Sequence, residues 1–173
     1  MSRRRDARVS AAIGSVIFFV VAPCVVAGLV PWLLTGWEAG QPLPGWVRIG
    51  GGAVVGIGAV ALVHSFVRFV LDGLGTPAPV APTERLVVGG LYRHVRNPMY
   101  LAVVATIMGQ GLLLSRPVLL SYGLVVGLAM SIFVKLYEEP KLLDQFGSEY
   151  EEYRSSVPGW LPRLRGWTPA SRT

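Results

Sequence analysis

Four runs of apolar residues divide the chain, separated by short polar breaks, and a fifth segment changes rhythm. The runs predict membrane spans at about 10–34, 47–71, 98–114 and 117–137. Pro23 and Pro31 are expected to kink the first, and Gly52, Gly56 and Gly58 to bring the second close to a neighbour. Gly123 and Gly127 offer a similar approach in the fourth. The longest break, 72–90, holds Pro77, Pro79 and Pro82, which exclude continuous helix, whereas Ser115-Arg116-Pro117 reads as a tight turn. After Glu139, the residues Leu142, Phe146, Tyr150, Tyr153 and Val157 recur every three or four positions among acids. This predicts an amphipathic helix over 139–157 at the membrane surface. The expected fold is all-α: a polytopic membrane protein with four transmembrane helices and a C-terminal amphipathic helix, in one domain spanning 1–173.

Composition agrees. The 173 residues are 52% hydrophobic and 15% charged, with mean hydropathy +0.51, whereas soluble domains carry about 25% charge. The net charge of +6 does not point to nucleic acid, because basic residues of membrane proteins gather on the cytoplasmic side. Arg3, Arg4, Arg5 and Arg8 precede the first run; Arg68, Arg85, Arg93 and Arg96 lie at or after the end of the second. Lys135, Lys141, Arg154, Arg163, Arg165 and Arg172 lie at or after the end of the fourth, and only Arg48 and Arg116 fall on the other side. Both termini are therefore expected in the cytoplasm, with the protein in the plasma membrane and the first run retained as an uncleaved span. Trp32, Trp37 and Trp46 suit an interfacial aromatic belt at the opposite surface. Cys24, the only cysteine, allows no internal disulfide and no cysteine metal site, and no metal is expected.

Little chain remains for a soluble catalytic domain, so any chemistry falls to loops and helix ends. The third run rises about 25 Å at 1.5 Å per residue and the fourth returns as far. The hairpin thus brings Glu138 and Glu139 level with Tyr92-Arg93-His94-Val95-Arg96-Asn97-Pro98-Met99-Tyr100. Acids at the edge of a span suggest a cation-binding pocket, although a solvated pair salted by Arg93, Arg96 or Lys135 would look the same. Asn97 is expected to cap the third span. Tyr92 and Tyr100 have an alternative reading as belt aromatics, and His94 as an ordinary loop residue. His64 and Arg68, one turn apart, share a helix face. Snorkelling to the headgroups accounts for the arginine. His64 is a candidate substrate contact or a hydrogen-bond partner for a neighbouring helix.

Gly90-Leu91-Tyr92, Val95-Arg96-Asn97-Pro98-Met99-Tyr100 and Glu138-Glu139-Pro140 resemble motifs of the integral-membrane methyltransferases. That superfamily holds isoprenylcysteine carboxyl methyltransferases and phospholipid methyltransferases. Phe146-Gly147, Glu149-Tyr150, Tyr153 and Val157-Pro158 are similar to the carboxyl methyltransferase branch. Gly56-Ile57-Gly58 is similar to a Gly-x-Gly element of the phospholipid branch. The resemblance covers roughly residues 50–160. It implies S-adenosylmethionine as methyl donor and a lipophilic acceptor, a prenyl-type carboxylate or a lipid amine, at the cytoplasmic face. It places Tyr92, His94, Val95, Asn97, Pro98, Tyr100, Glu138 and Glu139 at the cofactor, and Arg85 or Arg93 near its carboxylate or nucleotide. Two positions depart from the carboxyl methyltransferase pattern. Asn97 stands where that branch usually has His. Lys135 is the nearest basic residue to the arginine expected one turn before the acidic pair, and with His64 it is a candidate substrate contact.

Other functions fit four spans. A small transporter of lipophilic cations needs an acid near mid-membrane, whereas these acids lie at the rim. A non-catalytic membrane scaffold is a second alternative, which failure of the purified protein to bind the cofactor, with activity-independent phenotypes, would favour.

Overall fold

The computed structural model describes residues 21–73 and 85–168. The N-terminal arginines, the first half of the first predicted span, most of the proline-rich break and Arg172 lie outside the described residues. Five helices follow in order: α1 (Val21–Thr35), α2 (Gly45–Gly73), α3 (Pro98–Leu113), α4 (Pro117–Phe146) and α5 (Ser148–Ser156). A 3-10 turn, Gly90–Arg93, precedes α3. No strand occurs among the described residues.

Helices α2 and α4 are long and apolar enough to cross a membrane, while α1 and α3 are shorter apolar helices. Only 11% of the most apolar window of α2 is buried within the protein, and 17% of that in α4. A soluble core helix would hide most of such a surface. Here it faces outward, as a lipid solvent allows.

Helix α3 is central, with α2 along one side and α4 along another. The contact with α2 is backbone to backbone. A Cβ on Gly51 would lie 2.6 Å from the Leu113 nitrogen, and one on Gly109 would lie 2.8 Å from the Gly51 carbonyl. One on Gly58 would meet Thr106 Oγ1 at 2.5 Å. The close-approach strip is therefore Gly51 and Gly58, seven residues apart on one face: Gly58 packs as expected, but Gly51 takes the place expected for Gly52 and Gly56. Gly56 points away, with nothing among the described residues within 4 Å of where its Cβ would be.

Prolines are absorbed by widened π turns. In α1, the Val30 nitrogen bonds to the Val25 carbonyl instead of that of Val26, just before Pro31. Pro31 has no N–H to offer Ala27. The two carbonyls so released are taken by side chains: Tyr122 Oη donates to Val26 O at 3.0 Å and Gln110 Nε2 to Ala27 O at 2.7 Å. Lipid offers no donors, so such partners must come from the protein. In α4, the Glu139 nitrogen bonds to the Val134 carbonyl, one residue before Pro140. The helix thereby runs through the proline to Phe146, where a boundary at 137 was expected.

The amphipathic segment is not one helix. Gly147 adopts φ +51° and ψ −125°, a region open to glycine, and breaks it into the end of α4 and α5. Tyr150, Tyr153 and Val157 then close with Leu86 into a small core beneath the loop that leads to α3.

At the far end, Ser115 turns the α3–α4 hairpin with φ +56°. Its hydroxyl accepts from the Leu43 nitrogen at 3.0 Å, and Gly40 N donates to Leu114 O at 2.8 Å. Trp32, Trp37 and Trp46 are exposed at this end.

Candidate functional site

The hairpin returns the acidic pair to the start of α3, as the helix lengths require. Tyr100, on the first turn of α3, donates its hydroxyl to Glu138 Oε2 at 2.9 Å. Glu139 turns elsewhere. Its two oxygens meet Arg96 Nη1 at 2.9 Å and Arg154 Nη2 at 3.4 Å. The π turn that ends at Glu138 offsets the two acids, and neighbouring positions on a helix face different directions in any case. One acid therefore faces α3 while its neighbour anchors the loop and α5.

Arg96 joins these parts. Its Nη1 also donates to Tyr150 Oη at 3.2 Å, and its backbone nitrogen to the Pro158 carbonyl at 2.9 Å. Its buried Nε has no hydrogen-bond partner among the described residues. A buried charge held by one short ion pair and one hydroxyl is sensitive to loss of either.

The C-terminal tail straps the loop. His94 O accepts from Arg163 N at 3.0 Å, and Arg93 O from Trp167 N at 2.9 Å. Arg93 Nε donates back to Trp167 O at 2.8 Å, and His94 Nδ1 lies 2.8 Å from Arg163 O. Asn97 sits at the N-cap of α3, but its side chain makes no cap hydrogen bond. It donates instead to Gly159 O at 3.1 Å. The expected capping role is thus replaced by a tie to the tail. Tyr153 Oη donates to Tyr92 O at 2.7 Å from a buried position. Burial pushes the Tyr153 hydroxyl's pKa up, so it stays a donor, and burial does the same to Tyr92.

Two adjoining hollows share Phe69, Tyr92, Arg96, Asn97 and Glu138 on their walls. The larger has a cavity volume of about 180 Å³, with about 840 Å³ of empty space when its open mouth is included. Its remaining walls are mostly apolar: Pro23 and Val26 of α1, Leu62 of α2, Val103 of α3 and Met130 of α4. The smaller reaches under the loop to Glu139, Tyr150 and Tyr153. One side of the pair is thus polar and near the loop, the other apolar and between helices.

Of the residues singled out from the sequence, Tyr92, Asn97, Pro98, Tyr100 and Glu138 line the larger hollow, and Glu139 the smaller. Val95 is buried behind them, and His94 is turned to the tail. Lys135 is exposed and lines neither hollow, and His64 lines a different groove on α2. Arg93 is engaged with Trp167 and Thr168. Sequence reasoning passed over Arg96 as a site residue, although it lies inside the motif. The helical spacing of Leu62 and Phe69, seven residues apart, also marks a shared face. Nothing local in α1 marks Pro23 and Val26 as walls. Among the described residues there is no cluster of His, Cys, Asp or Glu suited to a metal.

The profile of the phospholipid methyltransferase family matches residues 46–149, which takes in α2, α3, α4 and the acidic pair. Two curated relatives are similar over this region. The protein-S-isoprenylcysteine O-methyltransferase of Schizosaccharomyces pombe is 36% identical over 80 residues, 46% of this chain and 34% of the relative. The human protein-S-isoprenylcysteine O-methyltransferase is 34% identical over 85 residues, 49% of this chain and 30% of the relative. The aligned part is thus about a third of each relative's length. With the family match extending over more than half of its residues and enclosing both walls of the Tyr100–Glu138 cleft, this chain belongs to the phospholipid methyltransferase family.

Proposed function

We propose that the protein is an S-adenosylmethionine-dependent methyltransferase whose acceptor is lipophilic. The observation that carries this reading is the Glu138 carboxylate, fixed by Tyr100, on the wall of a cleft whose other sides are largely apolar. The groups present suit the cofactor. A carboxylate matches its sulfonium and amino charges, and Tyr92 and Phe69 offer aromatic faces to its uncharged parts. Arg96, whose buried Nε–H meets no acceptor among the described residues, suits an oxygen acceptor.

In this reading Glu138, Tyr100, Tyr92, Asn97 and Pro98 hold the cofactor, with Arg96 and Glu139 behind them. S-adenosylmethionine supplies an electrophilic methyl group on sulfur. The chain supplies position and dryness. Tyr100 orients Glu138, the tail holds the loop, and the apolar walls from α1, α2 and α4 keep water from the reacting face. The acceptor's hydrocarbon enters between the helices and its polar end meets the cleft. A prenyl-type carboxylate is already ionised and needs no base, whereas a lipid amine must lose a proton. The relatives' names point to the first and the family's to the second.

In the same reading α1 and α3 also span the bilayer, both termini are cytoplasmic, and the cleft opens on the cytoplasmic face of the plasma membrane. Charge distribution supports this orientation. The test is incubation of the purified protein with methyl-labelled donor and a total lipid extract. Label should appear in one lipid class, and its chemical form names the nucleophile. Absence of protein-dependent label, from extracts containing both prenylated acids and amino lipids, contradicts the proposal.

A further inference from the structure

The outer flank of α2 carries a groove separate from the Glu138 cleft. Ala53, Gly56, Ile57 and Ala61 line it, Leu91 of the 3-10 turn borders it, and His64 stands at one end. At about 100° per residue, His64 and Arg68 share this flank with Ala53, Ile57 and Ala61, whereas Leu62 and Phe69 face the cleft. The groove is hollow because Gly56 has no side chain there and nothing among the described residues comes within 4 Å of its Cβ position.

Both basic side chains converge at the rim. A Cβ on Gly90 would lie 2.7 Å from His64 Nε2 and 3.4 Å from Arg68 Nε. Gly90 has φ +57°, so the chain turns beside these nitrogens without placing a side chain between them. Both residues are exposed. From Ala53 to His64 the helix rises about 16 Å, close to the ~15 Å of hydrocarbon in one leaflet.

We propose that this flank is a binding site for an anionic phospholipid. One acyl chain lies along the Gly56 hollow, and the phosphate sits against His64 and Arg68 at headgroup depth. The charges are complementary, the length fits one leaflet, and the basic end lies at the loop side of α2, where a headgroup would be. The hollow is open on its outer side, about 630 Å³ in volume, with Ile57 and Val60, 69% and 71% exposed, on its apolar walls.

The full-length protein in neutral detergent is titrated with phosphatidylglycerol or phosphatidylcholine of identical acyl chains, and thermal unfolding is followed. Phosphatidylglycerol should stabilise at about tenfold lower concentration, the scale of a charge-assisted hydrogen bond. The paired substitution His64→Gln and Arg68→Gln should abolish that preference, and Gly56→Phe should weaken both lipids about equally. Equal response to the two lipids, or a preference that survives the paired substitution, overturns the proposal. So does stabilisation by inorganic phosphate alone at matching concentration. Native mass spectrometry distinguishes the remaining occupant: a dimer that Gly56→Phe converts to monomer means that a second copy fills the groove, and the lipid site is wrong.

Discussion

Tyr100 Oη and Glu138 Oε2 meet at 2.9 Å although 38 residues separate them in the chain. The contact closes the α3–α4 hairpin at its open end and leaves a carboxylate oriented toward the cleft. Replacing Tyr100 by Phe keeps the ring and its packing near Trp160, 6.5 Å away between centroids. The expected loss is about 1.5–3 kcal/mol in affinity for S-adenosylhomocysteine, the scale of a hydrogen bond to a charged group. Calorimetry on the detergent-solubilised protein measures it, and unchanged affinity would separate Tyr100 from the site.

Glu139 has a different task, and its variant should fail differently. Glu139→Gln leaves the Arg96 charge, only 14% exposed, without its carboxylate. Breaking a buried pair costs about 3–5 kcal/mol, so the melting temperature should fall. Arg154→Gln, whose side chain is 50% exposed, should cost under about 1 kcal/mol. Thermal unfolding of the two variants side by side tests the ranking.

The tail is expected to be part of the site. Ending the chain after Val157 removes the tail partners of Arg93, His94 and Asn97 and of the Arg96 backbone nitrogen, while Arg96 keeps Glu139 and Tyr150. The shortened protein should still insert in membranes and retain α2–α4, yet bind S-adenosylhomocysteine at least tenfold more weakly. Undiminished binding would show that the 93–97 loop holds its shape unaided.

Alkaline pH should loosen the same region. Burial raises the pKa of Tyr92 and Tyr153 in the folded state, so folding holds protons that the unfolded chain releases. Their contribution is complete below the ordinary tyrosine pKa of about 10 and is lost as pH climbs above it. Tyr153→Phe should begin about 1 kcal/mol less stable, having lost its bond to Tyr92 O, and then decline less steeply between about pH 10 and 12. Parallel decline of variant and parent would contradict the assignment.

The helical character and the meeting of the two polar clusters were legible because both follow from run lengths and a fixed rise per residue. Glu138 and Glu139 could be brought level with the 92–100 segment on that basis alone, but not the particular bond between Tyr100 and Glu138. The break at Gly147 was not legible, since the apolar rhythm continues across it while the backbone does not. Gly52, Gly56 and Gly58 were all read as close-approach positions. Gly58 does meet α3, but its companion on that face is Gly51 rather than Gly52 or Gly56, and only the position of α3 distinguishes the two faces. Asn97 illustrates a third limit. Its type and place before Pro98 suit a cap, but the Gly159 carbonyl, 62 residues away, claims the amide. Arg96 was legible as one possible salt partner of the acids, and it does pair with Glu139; its bond to Tyr150, which meets it only through the α5 fold-back, was not.

The most direct measurement is calorimetric titration of S-adenosylhomocysteine into the purified protein and into Glu138→Gln. The parent should bind with one-to-one stoichiometry. The variant should bind roughly 10–150-fold more weakly, the loss of about 1.5–3 kcal/mol expected for a charged hydrogen-bond partner, with its melting temperature largely kept. Equal affinity in the two proteins, or no binding by a folded parent, would contradict the account.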